Sequence, residues 1–126
     1  MISNILVSNN NLLIKNINID TQLLINIIQE NNYFDILNVS IYNFNTIAID
    51  FSNSKPLSLK KYINNFVNID YSIVLPFFKK LSKLFNIFNY NNISILNFNI
   101  NDFIYINQKI YFIAFHKLQN IKNNFI

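Results

Sequence analysis

Residues 77 to 88 read Phe-Phe-Lys-Lys-Leu-Ser-Lys-Leu-Phe-Asn-Ile-Phe, and their spacing decides what kind of fold the chain can have. Wound at 3.6 residues per turn, Phe77, Phe78, Leu81, Leu84, Phe85 and Phe88 share one face, while Lys79, Lys80, Lys83 and Asn86 lie largely off it. That pattern predicts an amphipathic helix over about 77–88. Upstream, Thr46-Ile47-Ala48-Ile49-Asp50-Phe51 alternates strictly, as a half-buried strand does. A chain carrying both periods is α+β.

Outward from these two anchors, Met1 to Asn9 places Ile2, Ile5 and Leu6 at helical spacing and predicts a short first helix. Leu12 to Ile17 is a compact apolar run around Lys15, read as a strand. Asp20 is placed to cap a second helix with Leu24, Ile27 and Ile28 inward, and Asn31-Asn32 can take the left-handed conformation that ends it. Ile36 to Ile41 and Thr46 to Phe51 form strands about a turn at Asn43-Phe44-Asn45. The first half therefore reads α-β-α-β-β.

Ser52 to Pro56 is small, polar and ended by Pro, and marks a linker. The expected organisation is two small packed α/β subdomains, 1–54 and 55–126. The second is mostly short strands around the one amphipathic helix. Leu57 to Phe66 fits strand or helix, and Tyr71 to Leu75 reads as a strand. Further strands are expected at Ile93 to Phe98, Phe103 to Ile106 and Ile110 to Phe115, with a polar surface segment from Gln119.

Composition narrows the chemistry. Apolar residues make up 52% of the 126, with 13 Phe and 7 Tyr, which is ample for a core. Gly, Cys, Trp and Arg are missing, while Asn (27) and Ile (25) abound, a bias that follows the codons of a very AT-rich genome. Without Cys there are no disulfides or thiolate sites, and without Gly no phosphate-cradling loop of the usual kind. One His is too few for a convincing metal cluster. His116 reads as a strand-end surface residue. Asp20, Glu30, Asp35, Asp50, Asp70 and Asp102 each have a bland role as cap, surface group or turn, so no catalytic pair, metal or cofactor is expected. No apolar run approaches the roughly 20 residues that span a bilayer, and neither a membrane partner nor a small-molecule substrate is expected. The N-terminal residues carry no presequence pattern.

A net charge of +4 is compatible with nucleic acid. Two features suit RNA: Lys79, Lys80 and Lys83, joined by Lys60 and Lys61, and the run Asn97-Phe98-Asn99-Ile100-Asn101, whose amides can reach 2′-hydroxyls while Phe98 stacks on a base.

Two resemblances follow from the order of elements. The first covers most of the chain. Met1-Ile2-Ser3-Asn4-Ile5-Leu6-Val7-Ser8-Asn9 is similar to the opening helix of the small-subunit ribosomal protein eight family, and Gln29-Glu30-Asn31-Asn32-Tyr33-Phe34-Asp35 to its Glu-Gly-Tyr-Ile turn. Asn68-Ile69-Asp70 stands at its Ser-Lys-Pro segment, and Leu81-Ser82-Lys83 resembles its Leu-Pro-Lys helix. Ile95-Leu96-Asn97-Phe98-Asn99-Ile100-Asn101 stands where that family carries a Ser-Thr-Ser-x-Gly RNA loop, and Gln108-Lys109-Ile110 at its Gly-Gly ending. The signature glycines and loop hydroxyls are gone. This resemblance implies a structural constituent of the small ribosomal subunit that binds the central domain of its RNA beside neighbouring ribosomal proteins. It also implies a mitochondrial or other AT-rich organellar ribosome, such as a plastid's.

The second resemblance is to protein kinases. Phe77-Phe78 through Asn92-Ile93 looks like the kinase helix leading to the catalytic loop. On that pattern Asn97 occupies the catalytic Asp position, Asp102 that of the metal-binding Asn, and Ala114-Phe115-His116 that of Asp-Phe-Gly. Leu59-Lys60-Lys61-Tyr62-Ile63 resembles the segment after the hinge, and Lys15 stands for the ATP-contacting Lys. It implies a two-lobed, catalytically dead fragment, hinged near Asp50, that leaves some apolar surface uncovered.

Overall fold

The computed structural model describes residues 4–35, 37–51, 54–65, 71–95 and 97–121, the side chains of 64 and 65 excepted. In chain order its elements are β1 (Ile5–Ser8), β2 (Asn11–Ile14), α1 (Thr21–Glu30), β3 (Asn38–Asn43), β4 (Thr46–Asp50), β5 (Leu57–Ser58), α2 (Leu59–Asn65), α3 (Tyr71–Tyr90), β6 (Ile93–Ile95), β7 (Phe103–Ile106), β8 (Lys109–Phe112) and β9 (Leu118–Asn120). Short 3₁₀ turns span Ile100–Asp102 and Phe115–Lys117. The fold is α+β, with one long helix and short antiparallel strands.

The first half departs from expectation at its start. Ile5–Ser8 is a strand paired antiparallel with β2, so the described order is β-β-α-β-β; Met1 to Ser3 lie outside the described residues. A nine-residue segment gains little from helix formation, because nucleation is costly, whereas a hairpin satisfies its backbone at once. The register Ser8↔Asn11 leaves a two-residue loop, and Asn9 takes φ 54° at its first position.

The second helix forms as its sequence dictates. Asp20 accepts a hydrogen bond from Gln22 N at 2.9 Å, Leu24, Ile27 and Ile28 are buried, and Asn32 adopts φ 47° just past the end. β3 begins at Asn38 and runs into a bulge between Ile41 and Asn43, and Ile36 lies outside the described residues. β4 pairs with both β2 and β3, giving the sheet order β1-β2-β4-β3. This central place buries Thr46, Ile47, Ala48 and Ile49 alike, so the strand expected to be half-buried is covered on both faces.

In the second half, Leu57–Ser58 pairs briefly with β7 before the chain turns into α2. Phe66, Ser52 and Asn53 lie outside the described residues. Tyr71 to Leu75 are helical, not extended: α3 starts at Tyr71, with Pro76 inside it. Ile73 and Phe77 continue the inward stripe of Leu81, Leu84 and Phe88 at spacings of three and four, and that burial overrides the local β-branched run. The strand expected from Ile93 ends at Ile95, and the one expected from Ile110 spans Lys109–Phe112. Gln119 and Asn120 are exposed as expected, yet belong to β9, which pairs with β6.

One continuous apolar cluster joins the halves, from Leu12 and Ile49 through Phe34 to Leu84, Phe112 and Leu118. The loop after α1 clamps them. Tyr33 Oη receives a hydrogen bond from Phe112 N at 2.6 Å and donates to Phe112 O at 3.2 Å. Asp35 accepts from Lys80 on α3, from Tyr111 Oη at 2.6 Å and from Lys109 at 3.1 Å. Burial opposes the charge on Asp35, but these three donors outweigh it and hold its pKa below the ordinary carboxylate value.

Candidate functional site

The β1–β2 hairpin projects Ile5, Val7 and Leu12 over a cleft of about 390 Å³. Its opposite wall is Leu57 of β5, Phe103 and Ile104 of β7, and Ile113 just past β8. Strand alternation explains the hairpin's part: Ile5 and Val7 lie two apart, and Val7 pairs with Leu12, so all three share one face. The cleft is mostly apolar with a few polar groups, the usual make-up of a small-ligand site. Asp102 and His116 supply the titratable ones.

Asp102 is 4% exposed and held from two sides. Its Oδ2 accepts from Asn99 N at 2.8 Å and from Lys117 Nζ at 2.7 Å. Asn99 caps the 3₁₀ turn reciprocally, its Oδ1 accepting from Asn101 N at 2.9 Å. Asp102 O also accepts from Ile113 N at 2.9 Å, which brings residues 113–116 against this turn. Asp102 thus fills the cap role among those expected of the acids, but as a buried, ion-paired residue rather than a surface group.

His116 is a correction to its expected strand-end surface role. It sits in the 3₁₀ turn Phe115–Lys117 rather than at a free strand end, and its Nδ1 is buried without a hydrogen-bond partner. Burial lowers its pKa below the ordinary 6.5; the charge of Asp102 works against that shift and Lys117 adds to it. The imidazole is therefore neutral at pH 7 and offers an unused nitrogen beside the cleft. Among the described residues no three His, Cys, Asp or Glu side chains converge to hold a metal ion. Lys15, just past β2, forms no ion pair with an acid among those residues, and Glu30 is exposed at the far end of α1.

The residues expected to contact RNA fall into separate places. Asn97, Phe98, Asn99 and Asn101 are exposed on the loop between β6 and β7. Asn99 is engaged in the cap, and the ring of Phe98 packs on Phe85 at 5.9 Å and Phe103 at 6.1 Å. Lys79 and Lys83 are exposed on α3, and Lys60 and Lys61 on α2. Lys80 turns inward to Asp35. Phe85 and Lys83 differ by two helical residues, about 200° around the axis, so the loop meets the opposite side of α3 from Lys83. Of the cleft wall, Ile5 and Val7 are not legible in the sequence, because the spacing of Ile2, Ile5 and Leu6 predicts a helix there. The only signal for Asp102 and His116 was their position in the kinase pattern.

Compared with family models, curated proteins and solved structures, the chain matches none. Among the described residues no helix is long and apolar enough to cross a membrane.

Proposed function

We infer that the chain is a kinase-like scaffold that holds a nucleotide-sized ligand without transferring phosphate. The single observation that carries this is the cleft itself. It gathers Asp102 and His116, two positions of the kinase pattern, beneath the β1–β2 hairpin, which comes from the far end of the sequence. The order of elements supports it: an antiparallel sheet with one helix between its second and third strands, then a long helix, then a hairpin with the key positions at its ends.

The residues present do not suit a metal-assisted transfer. Asp102 is matched to Lys117, Ala114 stands where a carboxylate would be needed, and Asn97 cannot act as a base. No step is therefore assigned to a metal. The scaffold would present its ligand-bound form to other molecules.

A thermal-shift titration tests this reading. Adenosine or ATP is expected to raise the melting temperature, with stabilisation reaching about 2.7 kcal/mol at a hundredfold excess over Kd. Magnesium is expected to add nothing. No shift at millimolar nucleotide, or a shift that needs magnesium, would contradict it.

A second reading, an RNA-binding constituent of the small subunit of an AT-rich mitochondrial or plastid ribosome, is favoured by the exposure of Asn97, Asn101, Lys60, Lys61, Lys79 and Lys83. It predicts cosedimentation with small subunits and RNA affinity that falls with salt. A chain that never travels with ribonucleoprotein would exclude it.

A further inference from the structure

We propose that the outer stripe of α3 is a docking surface for an acidic amphipathic helix of a partner protein, independently of whatever fills the cleft. Tyr71, Leu75, Phe78 and Ser82 recur at spacings of four, three and four along a helix about 30 Å long. They face away from the core, Phe78 included despite its expected place on the apolar face, with Tyr71 77%, Leu75 58% and Phe78 57% exposed. Large apolar side chains in a row on one helix face are not the scattered exposure of an ordinary surface. A shallow groove of about 560 Å³ runs past Leu75 and Phe78 to Ile87, bordered by Lys79 and Lys83.

Charge identifies the occupant. Lys80, Lys109 and Lys117 are each paired to an acid of the chain itself. Lys79 and Lys83 form no ion pair among the described residues, and α3 contains no acidic residue at all. The stripe therefore offers two unmatched cations beside an apolar row of helical period. A helix with Leu or Ile on one face and Glu beside them matches both features, apolar row to apolar row and carboxylates to the two ammonium groups. RNA would use the lysines but leave Leu75 and Ile87 against a polar backbone, so the aliphatic part favours a peptide.

The test is fluorescence anisotropy on the full chain with three labelled probes. One is a helical peptide of about 18 residues with Leu on one face and Glu on the other; the second carries Lys in place of Glu; the third is a U-rich RNA oligonucleotide. The Glu peptide is expected to bind. Its affinity should fall about tenfold or more in Lys79→Glu/Lys83→Glu and in Leu75→Ser/Phe78→Ser. The Lys peptide should bind the charge-reversed variant better than the parent. All four substituted side chains are exposed, and near-ultraviolet circular dichroism verifies that each variant is folded. The proposal is overturned if the Glu peptide does not bind, or if it binds the charge-reversed variant equally well. It is also overturned if RNA binds more tightly than the peptide through Lys79 and Lys83 with no effect of Leu75→Ser/Phe78→Ser.

Discussion

Seven of the described residues hold a left-handed backbone in a chain without glycine: Asn9, Asn16, Asn32, Asp35, Asn92, Asn107 and Gln108. Asn and Asp tolerate that region because a short polar side chain can bond locally, so the Asn enrichment of an AT-rich sequence also supplies its turns. Asn32 was readable in advance, since it follows a helix with an inward stripe. Asn107-Gln108 was not, because Gln carries no turn signal, yet both residues have positive φ in a two-residue loop between Ile106 and Lys109. A β-carbon at the second position is costly there. Gln108→Gly is expected to stabilise the chain by about 1 kcal/mol, read from denaturant unfolding. An unchanged or lower stability would mean that Gln108 makes a compensating interaction.

At the scale of elements, α3 and β1 divide what the sequence made legible from what it did not. The stretch 77–88 announced its helix because its period is unbroken. The preceding turn was hidden by Ile73-Val74-Leu75 followed by Pro76, which locally reads as a strand ended by a breaker. Its assignment depends on Phe77 meeting Phe103 edge-on at 5.5 Å, a contact between residues 26 positions apart that no local pattern encodes. Pro76 lies beyond the first turn of α3, where it cannot donate a backbone hydrogen bond, and it is exposed. Pro76→Ala should therefore raise stability, by up to about 3 kcal/mol. A loss of stability would mean that the Pro76 ring makes packing contacts that outweigh the missing backbone donor. The misreading of β1 had the same origin: Ile2, Ile5 and Leu6 fit a helix until Asn11–Ile14 is available to pair with the segment.

For the whole molecule, the decisive feature is the way the two halves are fastened. The acid at 35, one turn past α1, reaches Lys80, Lys109 and Tyr111, while Tyr33 bonds to both backbone groups of Phe112. Asp35→Asn keeps the shape but removes the charge that these donors surround. The expected loss is about 1–2 kcal/mol, because the cluster is only partly shielded from water. In the parent chain the lowered pKa of Asp35 makes this contribution complete above its ordinary 3.8, and it is lost as pH falls through the lower folded value. Equal acid sensitivity in parent and Asp35→Asn would show the cluster to be idle. The α+β class was legible from two periodic segments, and neither the clamp nor the cleft was. Both depend on residues more than 70 positions apart, such as Tyr33 with Phe112 and Asp35 with Tyr111.

His116 is the only histidine in the chain, so its imidazole carbon-bound protons give an isolated nuclear magnetic resonance signal. Followed against pH with and without adenosine, that signal tests directly whether the cleft is a ligand site. Burial lowers the folded pKa of His116, so it should titrate below 6.5, and the stability it contributes should be complete above 6.5 and lost as pH falls through that lower value. Saturating adenosine should shift the resonance at pH 7. A signal that titrates at 6.5 or above and does not move with adenosine would contradict the account.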